Sequence, residues 1–103
     1  MKTYNKLVRD NIPQIIERSG KACATRVLDE VEYLSQLNKK LLEEVAEYQM
    51  SGEVEELADV VEVVYAIAVA KGITVADLDS IRQAKADTNG AFVKRIFLQS
   101  VSD

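Results

Sequence analysis

Four carboxylates near the middle of the chain have a spacing that can hold a metal ion. Glu44 and Glu47 form an E-x-x-E pair, and Glu56 and Asp59 form an E-x-x-D pair. Residues three positions apart lie on the same face of a helix, so each pair can present its two carboxylates together. Carboxylate oxygens are ligands that magnesium and manganese prefer. The two pairs are therefore candidate ligands for Mg²⁺, with Mn²⁺ as the alternative cation.

The composition excludes several other kinds of site. The chain has no histidine and a single cysteine, Cys23, which excludes the common zinc sites, the Ser-His and Cys-His nucleophile pairs and an internal disulfide. The longest apolar run, Val63 to Ala70, is shorter than the roughly 20 residues that span a bilayer, and the N-terminus has no signal-peptide pattern. We expect a cytoplasmic protein without a membrane partner, in which oxygen atoms hold any metal.

Charge is segregated along the chain, although the net charge is only −4. Residues 1–26 carry a net charge of +4, residues 27–79 a net charge of −10, and residues 80–103 a net charge of +2. The acidic middle disfavours nucleic-acid binding, and the basic ends form no sustained basic helix. Most acidic helices are solvated faces without a ligand. The carboxylate pattern alone therefore leaves a metal site and a solvated face open.

Two long helices joined by a short turn are predicted to position the carboxylates. After Asp29, a residue suited to an N-cap, apolar residues recur every three or four positions from Leu34 to Tyr48, and this pattern ends at Gly52. A second helix is predicted from about residue 53 to residue 70, with Gly72 just beyond its end. Because the turn is so short, the two helices are expected to form an antiparallel hairpin.

A helical wheel at about 100° per residue divides the acidic residues into two groups. One group lies on faces that lead into apolar surface and can converge in the hairpin: Glu44, Glu47, Glu56 and Asp59. The other group points elsewhere, with Glu43 towards solvent: Glu43, Glu55 and Glu62. Like charges packed beside a core repel one another and lose hydration, so the first group needs a cation or raised pKa values.

Shorter segments surround the predicted hairpin. A short helix is expected after Asp10 or Asn11 and ends at Gly20, and a further helix is expected from Thr74 to about Thr88. Residues 21–28 and 92–98 could be extended and could pair as a small β ribbon.

The sequence thus predicts a mainly α fold, an antiparallel helical bundle with a small two-stranded ribbon beside it, in a single domain over residues 1–103. A domain of this length buries only part of its apolar surface. We therefore expect a homo-oligomer, either a homodimer or a homotetramer.

Several segments resemble a known superfamily. LLEEVAEY and EELADVVEVV resemble the metal-binding signature of the MazG-like, or all-alpha, nucleoside triphosphate pyrophosphohydrolases, whose relatives include phosphoribosyl-ATP pyrophosphohydrolase and dimeric dUTPases. YNKLVRDNIP near the start and KADTNGAFVKRIFL near the end are similar to the terminal motifs of one small branch of that superfamily. The likeness covers nearly the entire chain. One departure is that only eight residues separate Glu47 from Glu56, fewer than in many of these relatives.

The resemblance implies an all-helical oligomer that releases pyrophosphate from a nucleotide with the help of magnesium. It implies that the metal ligands and catalytic residues are Glu44, Glu47, Glu56 and Asp59. The metal would polarise the phosphates and lower the pKa of a water molecule, while one carboxylate takes the proton. Basic residues would bind the phosphates, and their alternative role is solubility or ion pairing with the acidic helices; the candidates are Lys6, Arg9, Lys85, Lys94 and Arg95.

The leading expectation is a house-cleaning nucleotide pyrophosphohydrolase that cleaves between the α- and β-phosphates of a nucleoside triphosphate or related nucleotide. Two alternatives remain. One is the hydrolysis of phosphoribosyl-ATP in the histidine pathway. The other is a non-catalytic helical module for oligomerisation or regulation, in which the glutamates form a solvated face.

Overall fold

The computed structural model describes residues 2–103, which form four α-helices and no β-strand. In chain order, α1 spans Ile12–Arg18, α2 spans Glu30–Ser51, α3 spans Val54–Ala70 and α4 spans Val75–Asn89. The most extensive contact is between α2 and α3, and α3 also contacts α4. The predicted helical bundle is confirmed.

Caps at its two ends set the boundaries of α2. The Asp29 side chain accepts a 2.8 Å hydrogen bond from the backbone N–H of Glu32, one of the free amides of the first turn. At the other end Gly52 adopts a φ of 68°, a left-handed conformation that glycine adopts without strain. Its N–H donates a 2.8 Å hydrogen bond to the carbonyl of Tyr48. Two residues then connect α2 to α3, which makes the pair a tight hairpin.

A capping box begins α4. The Thr74 hydroxyl accepts a 3.0 Å hydrogen bond from the Asp77 amide, and the Asp77 carboxylate accepts a 3.4 Å hydrogen bond from the Thr74 amide. This reciprocal pair satisfies two amides that the helix itself leaves free. The predicted start of this helix is confirmed, and the helix ends before Gly90.

The predicted β ribbon is wrong. Within residues 2–103 no strand forms, and no backbone hydrogen bond joins residues 21–28 to residues 92–98. A turn interrupts the second segment: the Arg95 N–H donates a 3.2 Å hydrogen bond to the Phe92 carbonyl, and Arg95 has a φ of 57°. Two isolated strands are marginally stable in water, so the apolar residues of this segment were not sufficient to form a ribbon.

The core of the isolated chain is small. Among residues 2–103 the buried apolar residues are Leu37, Val63 and Ala68. The accessible surface is 9264 Å², whereas a folded monomer of this mass exposes about 5,800 Å². The radius of gyration is 18.3 Å, whereas a compact chain of this length has about 13 Å. The chain is elongated and leaves much apolar surface uncovered.

One uncovered surface is a row of apolar side chains on α3, which we call the α3 stripe. Its members recur every three or four residues and are between 39% and 74% exposed: Val54, Leu57, Val61, Tyr65 and Val69. The row lies on the side of α3 opposite Val63, which is buried. None of the described helices has both the length and the apolar character needed to cross a membrane.

Candidate metal centre

The hairpin brings acidic residues of two helices to one place. Glu44 and Glu47 lie in the C-terminal part of α2, and Glu56 and Asp59 lie in the first two turns of α3. Because only two residues connect the helices, the end of α2 faces the start of α3. Glu44, Glu56 and Asp59 each offer a carboxylate oxygen, and these three oxygens lie within 4.8 Å of one another. Three of the four predicted ligands therefore meet across the hairpin.

Glu47, the fourth predicted ligand, belongs to a second acidic group. Its carboxylate lies within 4.8 Å of those of Glu43 and Glu44. Glu44 is common to both groups and links them. We call the five residues together the acidic cluster: Glu43, Glu44, Glu47, Glu56 and Asp59.

Glu44 is the buried centre of the acidic cluster. The residue is only 7% exposed, and it is the one buried charged residue among residues 2–103. Its Oε1 atom lies 3.3 Å from the Nζ atom of Lys40. Its Oε2 atom is buried and has no hydrogen-bond partner. A buried carboxylate oxygen without a partner costs free energy. A proton or a cation bound at this atom would remove that cost.

The surroundings favour the protonated form of two members of the cluster. Burial raises the pKa of Glu44; the Lys40 ammonium opposes this rise, and the charge of Glu47 adds to it. Loss of hydration also raises the pKa of Glu56, and the charges of Asp59 and Glu44 add to the effect. The repulsion expected from the sequence is therefore present: it acts within each helix, from Glu47 on Glu44 and from Asp59 on Glu56, and across the hairpin between Glu44 and Glu56.

Two basic side chains offset part of this negative charge. The Lys40 Nζ atom lies 3.3 Å from Glu44 and 3.5 Å from Glu43, and the Lys40 side chain is 18% exposed. An Arg9 nitrogen lies 2.7 Å from the Oδ1 atom of Asp59, and another lies 3.7 Å from Glu62. Arg9 is among the basic residues predicted from the sequence, whereas Lys40 is not. Lys40 lies three residues before Glu43 and four before Glu44, and this spacing was the signal that could have identified it.

The structure corrects the expected orientation of Glu43. The helical wheel placed it towards solvent, but the residue is half-buried and its carboxylate joins those of Glu44 and Glu47. Lys40 contributes to this arrangement, since its ammonium group lies between the carboxylates of Glu43 and Glu44. A wheel gives the direction of Cβ and not the reach of a long side chain. Glu55, by contrast, is exposed as expected.

The other basic candidates lie apart from these contacts. Lys6 lies over the ring of Tyr4, with its Nζ atom 5.8 Å from the ring centre. Within residues 2–103, ion pairs to the acidic cluster come from Arg9 and Lys40. The remaining candidates are exposed. Lys85 lies on α4, and Lys94 and Arg95 lie in the turn that follows it.

The donor set fits a hard divalent cation. Every donor is a carboxylate oxygen, the type that Mg²⁺ and Mn²⁺ prefer. The buried and unpartnered Oε2 atom of Glu44 gives the cluster a position where a cation would remove a cost that the protein alone does not remove. Arg9 and Lys40 stand at its two sides, on Asp59 and Glu44 respectively. The arrangement can therefore hold a cation and place basic groups beside it.

Comparison with known proteins finds a partial similarity. A protein of Mycolicibacterium smegmatis (strain ATCC 700084 / mc(2)155), described as an uncharacterized protein, is 50% identical to this chain over 42 residues. The match covers 41% of this chain and 43% of that protein, so the chain spans less than half the length of this relative. No family model and no solved structure matches the chain. The similarity is too short to show a family.

Proposed function

We propose that this chain is a magnesium-dependent nucleotide pyrophosphohydrolase that cleaves its substrate between the α- and β-phosphates. From a triphosphate it would release the monophosphate and pyrophosphate, and it would remove surplus or non-standard nucleotides. The observation that carries the proposal is the convergence of carboxylate oxygens of Glu44, Glu56 and Asp59 from two helices, together with a buried, unpartnered oxygen on Glu44. The resemblance of the acidic segments to MazG-like signatures supports the reaction class.

In this proposal the acidic residues hold the cation and manage the proton. The ligands are Glu44, Glu47, Glu56 and Asp59. The bound cation, Mg²⁺ or Mn²⁺, supplies Lewis-acid polarisation of the phosphates and makes a water molecule more acidic. A carboxylate of the same cluster accepts the proton that the attacking water loses. The reaction needs no covalent intermediate.

Basic residues bind the substrate phosphates, because a polyphosphate that approaches a segment of net charge −10 needs cations besides the metal. Arg9 is the best placed, since its guanidinium group already lies 2.7 Å from Asp59. A guanidinium can donate two parallel hydrogen bonds to a phosphate. The further candidates remain the exposed residues Lys6, Lys85, Lys94 and Arg95.

The active form is a homodimer or homotetramer in this proposal. The isolated chain exposes 9264 Å², about 3,500 Å² more than a compact monomer of its mass. That excess exceeds the roughly 800 Å² that each partner buries in a standard interface. The α3 stripe is the surface that we assign to a second copy, because it is apolar and lies opposite the buried side of α3. We place the protein in the cytoplasm, where a chain with a single cysteine suits the reducing conditions.

A second candidate function is a helical oligomerisation module without catalysis. The observation that favours it is the pairing of the acidic cluster with Arg9 and Lys40, which neutralises part of the charge without any metal. The unpartnered Oε2 atom of Glu44 argues against this alternative, because a purely structural cluster gains nothing from it.

A panel of nucleotides with Mg²⁺ tests the proposal, with pyrophosphate and phosphate release measured separately. The panel contains standard and modified nucleoside triphosphates, the corresponding diphosphates and phosphoribosyl-ATP. We expect pyrophosphate release that stops when the chelator EDTA is in excess and returns when Mg²⁺ is restored. Full turnover in excess chelator would contradict the metal mechanism. No turnover of any nucleotide in an oligomeric, folded protein would favour the module.

A further inference from the structure

Lys40 has an unusual position for a lysine on a helix surface. Its side chain is 18% exposed, and its Nζ atom lies 3.3 Å from Glu44 and 3.5 Å from Glu43. The preceding residue, Lys39, is exposed, and the ion pairs of residues 2–103 do not include it. Two neighbouring lysines of one helix therefore differ both in burial and in contact with the acidic cluster.

The pairing of Lys40 differs from an ordinary surface ion pair. Exposed pairs contribute little to stability because water screens them. Glu44, however, is 7% exposed, so its charge has lost most of its hydration and depends on a nearby cation. Lys40 satisfies only the Oε1 atom, whereas Oε2 remains without a partner. Lys40 thus provides only part of the positive charge that the cluster could accept from a bound cation.

A divalent cation bound at Glu44 would compete with the Lys40 ammonium for the same carboxylate. A cation held by Glu44 would lie within a few ångströms of Nζ, where two positive charges repel each other strongly in a partly dehydrated place. The lysine stem has four carbons and rotates freely, so its ammonium group can move while the backbone stays in place. Substrate phosphates would be the nearest new source of negative charge.

We propose that Lys40 is the exchangeable counter-ion of the acidic cluster: it neutralises Glu43 and Glu44 when no metal is bound, leaves them when a divalent cation binds, and then binds the substrate polyphosphate. This inference rests on the proposed function for its substrate, but its first step depends only on cation binding. Lys40 is a positioning residue for the carboxylates in one state and a phosphate ligand in the other.

Binding of Mn²⁺ to the full chain without nucleotide tests the first step, with free Mn²⁺ measured by electron paramagnetic resonance. Lys40→Met removes the competing charge but keeps an unbranched stem, and Lys39→Met is the matched control on the same helix. We expect Lys40→Met to bind Mn²⁺ at least about fivefold more tightly than the unmodified protein. We expect Lys39→Met and Lys40→Arg to stay within about twofold of it. A purely structural lysine would give weaker binding when removed.

Binding of inorganic pyrophosphate in saturating Mg²⁺ tests the second step. We expect Lys40→Met to weaken this binding at least about fivefold, while Lys39→Met changes it little. Circular dichroism confirms the fold of each variant, and Lys40→Gln replaces Lys40→Met if the latter does not fold. Unchanged or weaker Mn²⁺ binding in Lys40→Met would overturn the exchange, and unchanged pyrophosphate affinity would overturn the phosphate step. These measurements need no turnover, so they separate this inference from failure of the proposed hydrolase.

Discussion

Glu44 connects the two acidic groups of the hairpin, and its burial distinguishes it from the other carboxylates of the chain. A solvated acidic face would leave every carboxylate in water, where each could be changed without consequence. Here the Oε2 atom of Glu44 is buried without a hydrogen-bond partner, and carboxylate oxygens of Glu56 and Asp59 lie within 4.8 Å of a Glu44 carboxylate oxygen from the other helix. Substitutions inside and outside the cluster should therefore have different effects.

Replacing a carboxylate by its isosteric amide separates metal binding from folding. We expect Glu56→Gln or Asp59→Asn to lower Mn²⁺ affinity and nucleotide turnover at least tenfold, more than about 1.4 kcal/mol. Thermal stability without metal should hold or rise, because repulsion inside the cluster is relieved. The matched control is Glu55→Gln on α3, an exposed residue outside the cluster. Equal, small effects in all three variants would refute the metal site.

The dependence of stability on pH provides a second test. The folded chain raises the pKa of Glu44 and Glu56, so it binds these protons more tightly than the unfolded chain does. Their contribution to stability is therefore greatest below the usual glutamate pKa of about 4.3 and is lost as pH rises through the raised pKa values. As pH rises through this range, we expect the free energy of unfolding of Glu44→Gln to increase relative to that of the unmodified, metal-free protein.

Urea unfolding at a series of pH values in the presence of chelator measures this difference. The comparison of the two proteins cancels the titration of groups that lie far from Glu44 and are common to both. A difference in unfolding free energy that is constant with pH would contradict the raised pKa of Glu44. Addition of Mg²⁺ should reduce the difference at neutral pH, because only the unmodified protein keeps the full ligand set.

At the residue scale, the sequence was sufficient to predict that three of the candidate ligands converge, but it was insufficient to predict how the side chains around them are arranged. The spacing of Glu56 and Asp59 on one helix and the short turn placed them near Glu44. The neutralisation by Lys40 and the inward turn of Glu43 depend on side-chain rotamers and on local hydration, which a wheel does not contain.

The connection between α2 and α3 is the element on which the site depends. Gly52 has a φ of 68°, and a Cβ atom added there would meet nothing within 4 Å. A substitution at this position therefore tests backbone strain alone. Because the turn also sets how the end of α2 faces the start of α3, strain here should affect the acidic cluster as well.

We expect Gly52→Ala to lower the free energy of unfolding by about 1 to 2 kcal/mol, the cost of a left-handed conformation for an L-residue. Gly52→Asn should lower the free energy of unfolding by less, since asparagine tolerates this conformation. Urea unfolding measures both, and Mn²⁺ affinity should fall in the same order. Equal losses in the two variants would mean that the turn adopts another conformation.

At the element scale, the helices were predictable because their signals are local. Asp29, Thr74 and the glycines that follow the helices act within a few residues, and the structure confirms the helix ends that they predicted. The β ribbon was not predictable in the same way, since a strand needs a partner that is distant in the chain. The exposed apolar residues of segment 92–98 are consistent with a strand, but a turn at Arg95 ends any pairing.

The shape of the whole molecule supports association. Its principal extents are 62 × 32 × 25 Å, and the buried apolar core of the described residues consists of Leu37, Val63 and Ala68. A chain with so small a core has little to offset the conformational entropy that it loses on folding. Association through the α3 stripe would enlarge the core without adding residues.

We expect the unmodified protein to be a dimer or a larger assembly at micromolar concentration, as measured by light scattering. Val61→Glu places a charge in the middle of the α3 stripe, where Val61 is 43% exposed, and should shift the protein towards monomer and lower its thermal stability. Ser80→Glu, at an exposed position on α4, is the control for added charge. An unmodified protein that is monomeric and stable would contradict the assignment of this surface.

All four proposed ligands lie within the sixteen residues from Glu44 to Asp59, and this closeness bears on the kinetics of folding. Closing so short a loop costs little chain entropy, and contacts between residues near in sequence tend to form early. The carboxylates should therefore meet in the folding transition state, before another chain can cover α3. Their repulsion would then raise the barrier to folding, and a divalent cation should accelerate folding as well as stabilise its product.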